Sequence, residues 1–264
     1  MTDEDPIVAA LRAAGCVFAE DEARLLREAA SGDELTTLVR RRVDGQPLEH
    51  VLGWAGFRGL RVAVDPGVFV PRHRTGLLVD QAIPLLSPGD VVLDLCCGTG
   101  ALGAAVAAKI PVELHAADID PASVACARRN VPRVYEGDLF EPVPTALRGR
   151  IAVILANVPY VPTEEIALMP PEAREYEVRV ALDGGDDGLT VLRRVAAEAP
   201  GWLAPGGHVL SETSGRQAPV ALAVFRSHLS DARIVEDDDS IVVIGTKQGR
   251  PGPKSGAAPG VKTR

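Results

Sequence analysis

Val91-Val-Leu-Asp94-Leu-Cys-Cys-Gly98-Thr-Gly100-Ala-Leu-Gly103 decides how this chain is read. A short apolar run ends in glycines, where backbone must turn sharply, and an alanine-rich stretch follows. This predicts a buried strand over 91–96 and a helix over 101–109. Working outward, the same rhythm repeats. Strands are expected at 112–117, 151–156, 208–212 and 241–245, and helices at 121–130, 189–198 and 219–229, with Pro121 suited to a first helical turn. Strands alternating with helices give an α/β fold with a doubly wound, mostly parallel sheet. Upstream, Ile7, Val8, Leu11, Leu25, Leu26, Leu35, Leu38 and Val39 recur at helical intervals, a helical cap over 1–52 too short to bury a core alone. Residues 57–70 alternate in strand fashion around Asp65-Pro66-Gly67, which reads as a β-hairpin linker over 53–75. The main domain then spans 76–248, and the Gly/Pro-rich stretch 249–264 is expected to be disordered.

Composition narrows the function. Of the 264 residues, 28 are Lys or Arg and 36 are Asp or Glu. The last sixteen residues hold four bases and no acid, leaving 24 bases against 36 acids, −12, on residues 1–248. So acidic a body is a poor grip for phosphate backbones, because non-specific nucleic-acid affinity comes from Lys and Arg. Ten aromatics (five Phe, two Trp, three Tyr) are too few for a base-stacking platform. No apolar run approaches the ~20 residues that cross a bilayer, and Met1-Thr-Asp-Glu-Asp lacks signal-peptide character. Cys16, Cys96, Cys97 and Cys126 show no CxxC spacing, so no metal site is expected and the thiols read as reduced and structural. These features together point to a cytoplasmic protein that neither enters a membrane nor binds nucleic acid directly.

The glycine turn is the first chemical signal. Gly98 and Gly100 let backbone approach a ligand, and the helix beyond offers unpaired N–H groups. A bare G-x-G-x-x-G fits many nucleotide-linked ligands and also a plain tight turn. Two carboxylates shift the balance. Asp94 lies four residues before Gly98, where it would repel a pyrophosphate and attract a cation. S-adenosylmethionine carries an ammonium and a sulfonium and no phosphate. Asp118, at the end of the next strand, is placed to accept both ribose hydroxyls of NAD or of S-adenosylmethionine. Asp120 reads as a helix N-cap.

Asn157-Val158-Pro159-Tyr160 is the second signal, at the carboxyl end of its strand, where open α/β sheets bind ligands. Methylating a planar amide or aromatic amine is hard because the nitrogen lone pair is delocalised. A site can help by accepting both N–H hydrogens, one on the Asn157 side-chain oxygen and one on the next carbonyl, with Tyr160 packed over the planar group. A strand-ending turn is the plain alternative.

On these motifs the chain resembles class I S-adenosylmethionine-dependent methyltransferases, and more closely the release-factor glutamine N5-methyltransferases (the HemK/PrmC type). The resemblance runs over about 45–247 and includes Gly67-Val-Phe-Val-Pro-Arg72, Gly137-Asp-Leu-Phe140, Ala181-Leu-Asp-Gly-Gly-Asp-Asp-Gly-Leu189 and Leu203-Ala-Pro-Gly-Gly207. It implies a seven-stranded methyltransferase sheet. It implies a donor site of Asp94, Cys96, Cys97, Gly98, Thr99, Gly100, Asp118 (ribose), Asp138, Leu139 (adenine) and Asn157. It implies Asn157, Pro159 and Tyr160 as catalytic residues, a glutamine bound against Asn157, Val158, Pro159, Tyr160 and Phe69, and a translation release factor or similar protein as partner. Three departures stand out. Val158 replaces the family's first proline, although Pro159 still steers it towards extended geometry. Pro71-Arg-His-Arg-Thr-Gly76 replaces the usual Pro-Arg-Pro-Glu-Thr-Glu. The cap is shorter than the usual recognition domain, implying a paralogue with a shifted target. His73 reads as a surface residue. Glu212 and Thr213 read equally as caps or as pocket neighbours, Glu236-Asp-Asp-Asp239 as a hairpin turn, and Trp54, Phe57 and Trp202 as core or interface aromatics. The rival readings are an adenine-N6 nucleic-acid methyltransferase, a non-catalytic S-adenosylmethionine binder and an NAD-dependent dehydrogenase.

Overall fold

The computed structural model describes residues 5–249. Apart from Gly249, the tail expected to be disordered lies outside the described residues. The chain begins with α1 (Pro6–Ala13), α2 (Ala19–Ala29), α3 (Gly32–Val43) and α4 (Leu48–Leu52). Asp5 starts α1 by accepting from Ile7 N–H at 3.0 Å. The helices share a small core of Val8, Leu11, Ala23, Leu26 and Val51. Arg42, on α3, is buried between Glu22 and Glu172, each at 2.6 Å.

A two-stranded hairpin follows, β1 (Trp54–Phe57) and β2 (Leu60–Ala63). Its tight turn is Arg58-Gly59, not the expected Asp65-Pro66-Gly67. Both turn residues have positive φ, 49° and 82°, the backbone whose twist matches a two-residue hairpin loop. Asp65 instead closes a separate turn, accepting from Val68 N–H at 3.1 Å, that leads the chain to Phe69.

The remaining elements are α5 (Gly76–Ala82), β3 (Val91–Leu95), α6 (Ala101–Ala107), β4 (Glu113–Asp118), α7 (Pro121–Ala127), β5 (Val134–Glu136), β6 (Ile151–Ala156), α8 (Pro171–Tyr176), α9 (Thr190–Trp202), β7 (Leu203–Thr213), α10 (Ala218–His228), β8 (Ser230–Glu236) and β9 (Ile241–Thr246). Seven strands form one sheet in the order β5-β4-β3-β6-β7-β9-β8, parallel except for β9. Alternate strand residues feed opposite layers. Leu93, Ile154 and Val209 pack with Leu192, Val195 and Ala196 of α9 and Phe225 of α10. Val92, Val153, Leu155 and Leu210 pack with Leu78 and Val79 of α5 and Ala105 and Val106 of α6. The helix expected over 189–198 runs on through Pro200 to Trp202. The turn expected at 236–239 joins β8 to β9, Asp237 accepting from Asp239 and Ser240 N–H.

The order reverses beside β3: the chain moves from β3 to β4 and β5 on one side, then returns to β6 and β7 on the other. Open α/β sheets bind ligands at this switch point, at the strands' carboxyl ends. Leu95 pairs with Ala156 in the β3–β6 register. The residues that follow each of them, Cys96 and Asn157, therefore emerge side by side.

Candidate active site

Local geometry shapes the turn after β3. Cys96 takes a left-handed backbone (φ 56°), Cys97 N–H donates to Ala117 O at 3.1 Å, and Gly100 N–H donates to Cys97 O at 2.7 Å. Gly98 N–H donates to Asp118 Oδ2 at 2.8 Å, and Asp118 Oδ1 accepts from Asp120 N–H at 2.9 Å. With two N–H groups accepted, a carboxylate keeps lone pairs for a ribose diol. Burial raises the Asp118 carboxyl above its ordinary range. Asp120 caps α7 by accepting from Ser123 N–H at 2.8 Å. Asn130 braces the turn from behind, its Nδ2 donating to Thr99 O (2.9 Å) and Ala63 O (3.0 Å).

A cavity of about 310 Å³ opens over this turn, within the ~300–1,000 Å³ range of small-molecule sites. Its walls include Phe69, Cys96, Cys97, Gly98, Thr99, Asp118, Asp138, Leu139, Asn157, Val158, Pro159 and Tyr160. Twelve of the fourteen residues singled out in the sequence thus meet around one hollow, drawn from the ends of β3, β4 and β6 and the loops after β2 and β5. Arg194 holds Asp138 through two hydrogen bonds of 2.8 and 3.1 Å. The Arg72 guanidinium lies 4.9 Å from the Phe69 ring centre and pairs with buried Glu177 at 2.6 Å. Glu177 also accepts from Val70 N–H at 3.1 Å, fixing the Phe69 segment. His73 faces a second, open cleft that is also lined by Glu49, Arg72, Arg74 and Asp239.

Two expected donor-site residues lie behind the wall. Asp94 is fully buried and off the cavity wall; its Oδ2 accepts from Gly103 N–H at 2.8 Å and braces the start of α6, while its Oδ1 has no partner among the described residues. Gly100 has φ 77°, and a Cβ there would sit 2.6 Å from Val131 Cγ2. This glycine lets the turn pack against Val131 and Ala127 at the end of α7. Burial pushes Asp94 up to about 7. The folded state therefore holds this proton more tightly than the unfolded chain, whose aspartates titrate near ~4. The group's contribution to stability is present below about pH 4 and is lost as pH climbs to about 7. Asp94→Asn, whose amide oxygen still accepts from Gly103, is expected to make that fall shallower and to raise the denaturant midpoint at pH 8. Donor affinity should change little, and a large loss of affinity in calorimetry would mean the carboxylate reaches the donor.

The segment after β6 is held by the glycine-rich string. Val161 N–H donates to Leu182 O (3.0 Å), Gly184 N–H to Val161 O (2.8 Å), and Thr163 N–H to Gly185 O (3.0 Å). Gln217 Nε2 donates to both Tyr160 O (2.8 Å) and Asp187 O (3.0 Å). Asn157 Oδ1 is sealed from solvent and lacks a partner among the described residues. A buried acceptor left unpaired costs about 1–3 kcal/mol, and Asn157, unlike Asp94, lines the cavity, so its Oδ1 is available to a hydrogen donor there. Among the described residues, no hydrogen bond ends on the Val158 carbonyl either.

Sequence reading missed the parts played by Arg72, Glu177, Arg194 and Gln217, which act on the site from distant segments. Glu212, weighed as a cap or a pocket neighbour, is buried and accepts from the Tyr160 hydroxyl at 3.1 Å. Only the change of Pro-Arg-Pro-Glu-Thr-Glu to Pro71-Arg-His-Arg-Thr-Gly76 flagged Arg74.

These features define an S-adenosylmethionine-dependent methyltransferase. The acceptors on Asp118 and Asn157 and the apolar faces of Phe69 and Leu139 suit a nucleoside with a cationic tail. The Gly98 N–H, spent on Asp118, is not offered to a pyrophosphate. Residues 59–168 match the methyltransferase small domain model. The release factor glutamine methyltransferase of Geobacter sulfurreducens is 37% identical over 77% of this chain and 74% of its own. That of Gloeobacter violaceus is 36% identical over 74% and 72%. The chain belongs to the release factor glutamine methyltransferase family. A methyltransferase structure from Pyrococcus furiosus, 19% identical, shares the fold with a TM-score of 0.54, covering 81% of this chain and 99% of that one. No helix among the described residues is long and apolar enough to cross a membrane.

Proposed function

We propose that this protein methylates N5 of a glutamine side chain in a peptide chain release factor, in the cytoplasm and without gripping nucleic acid directly. The observation that carries this reading is the unpartnered Asn157 Oδ1 on the wall of the cavity that also holds Gly98 and Asp118. Asp118 would hold the donor ribose, Leu139 would lie beside the adenine, and the 96–99 turn would back the rest, with Asp138 and Asn157 at the margins. S-adenosylmethionine supplies a methyl on a sulfonium, which leaves as a neutral thioether when the N–CH3 bond forms.

The chain's own part is orientation. Asn157 Oδ1 and the Val158 carbonyl accept the two N–H hydrogens of the carboxamide, turning its nitrogen to the reacting carbon. Pro159 keeps Val158 extended and delivers Tyr160, whose ring covers the planar group. Phe69 walls the pocket. No strong base is required, because the nitrogen becomes acidic once methylated and its proton passes to water. The −12 on residues 1–248 opposes a phosphate backbone and suits a basic protein.

The test is incubation with labelled donor, a release factor bearing a Gly-Gly-Gln loop, and a lysate, followed by mass spectrometry. One methyl on a glutamine is expected. Label on DNA or RNA would overturn the protein substrate, label on lysine would move the reaction class, and donor binding without any label would leave a non-catalytic binder.

A further inference from the structure

The phenol of Tyr160 is held in a closed ring of three side chains. Its hydroxyl donates to Glu212 Oε1 at 3.1 Å and accepts from Arg74 Nη2 at 2.9 Å. Arg74 Nε donates to the same Glu212 oxygen at 3.2 Å. Glu212 stands on β7 with its side chain 3% exposed, whereas Arg74 is 46% exposed and comes from the loop before α5. The three residues are brought together from positions 52 to 138 apart in the chain.

We propose that Arg74 and Glu212 are positioning residues: they clamp the Tyr160 hydroxyl so that its ring keeps one orientation beside Asn157, where the glutamine carboxamide is to lie. The inference rests on the glutamine reading for its purpose. A tyrosine free to rotate would have to be ordered at each turnover, and in-line transfer is sensitive to displacements of about 1 Å. The clamp removes that ordering beforehand. It also explains Arg74, which stands where the resemblance leads one to expect an acid. Glu212 is buried, and a second carboxylate at position 74 would face it with no cation between them.

A double-mutant cycle tests the inference. Arg74→Gln, Glu212→Gln and Tyr160→Phe are each expected to cut kcat/KM for a glutamine-bearing substrate by about tenfold, the scale of one charge-assisted hydrogen bond. The loss should fall mainly in kcat, with donor affinity unchanged. Arg74→Gln added to Tyr160→Phe should cost nothing further, because the hydroxyl through which Arg74 acts is already gone. Arg74→Glu should be worse than Arg74→Gln. Additive losses, or wild-type rates in Arg74→Gln, would overturn the clamp.

A second readout needs no methyl acceptor. The Tyr160 phenol is held above its ordinary value by burial and by Glu212, against the pull of Arg74. Its ionisation, followed by ultraviolet absorbance and isolated by subtracting the Tyr160→Phe titration, should move up in Arg74→Gln and down in Glu212→Gln. An unmoved titration overturns the clamp by itself. A wild-type protein that methylates no glutamine overturns the functional reading and leaves the clamp to be decided by the titration.

Discussion

Asn157→Ala is expected to lower turnover by about a thousandfold, the scale of losing a preorganised polar group that acts in the transition state, with S-adenosylmethionine affinity little changed. The two effects separate because Asn157 meets the donor site only at its edge. The ribose acceptors on Asp118 and the 96–99 turn arise from β3 and β4, braced by Asn130 and Ala117 rather than by Asn157. The acceptor amide depends instead on Asn157 Oδ1, a buried cavity-wall oxygen without a partner among the described residues. Truncation removes half of the pair that orients a reluctant nitrogen and leaves the Val158 carbonyl to hold one hydrogen alone. Because the lost interaction is strongest as the nitrogen develops positive charge, the fall should lie in kcat more than in KM. Single-turnover rates beside calorimetric donor titrations would measure both. A rate within about tenfold of wild type would show that orientation comes from elsewhere, contrary to the catalytic logic of the site.

Much of this arrangement can be read from letters, for a physical reason. β3 and β6 are buried runs flanked by turn chemistry, and residues at their carboxyl ends are forced towards the switch point. Gly98, Asp118 and Asn157 could be placed because strand ends are where such sheets present function. Shorter or edge elements left weaker traces. β5 has three residues, and β8 interleaves Asp231 and Arg233 with apolar ones because it lies at the sheet edge. α5 starts without a side-chain cap and so has no start signal. Arg58 at positive φ gave no warning of the hairpin turn, while Asp65-Pro66-Gly67 advertised one. Asp94 shows another limit: a carboxylate beside a glycine turn can face a ligand or the N–H groups of the next helix, and only packing decides. Arg194 and Gln217 lay beyond reach, and Arg74 and Glu212 could be flagged but not paired, because their partners are remote in the chain.

The string Ala181 to Leu189 was recognisable as a signature, but its role is visible only in space, and this leads to the second large effect. Gly188→Ala is expected to depress activity about a hundredfold, as a displacement of about 1 Å at a reacting group would. A Cβ at Gly188 would stand 2.2 Å from Tyr160 O and 2.2 Å from Gln217 Nε2, the two atoms whose hydrogen bond holds the acceptor segment. Neither can yield cheaply, since Tyr160 O is backbone and Gln217 also bridges to Asp187 O. The segment from Asn157 to Tyr160 should shift, misplacing the amide acceptors, while the 96–99 turn keeps its donor affinity. Gly188 also has φ 73°, so an alanine there carries conformational strain as well. Gly149 separates the two causes: it has the same φ of 73°, but a Cβ there meets nothing within 4 Å. Gly149→Ala should therefore lower the melting temperature by a similar strain contribution and leave methyl transfer at the wild-type rate. Equal activity loss in both variants would mean that strain, not the collision with Tyr160, governs the site.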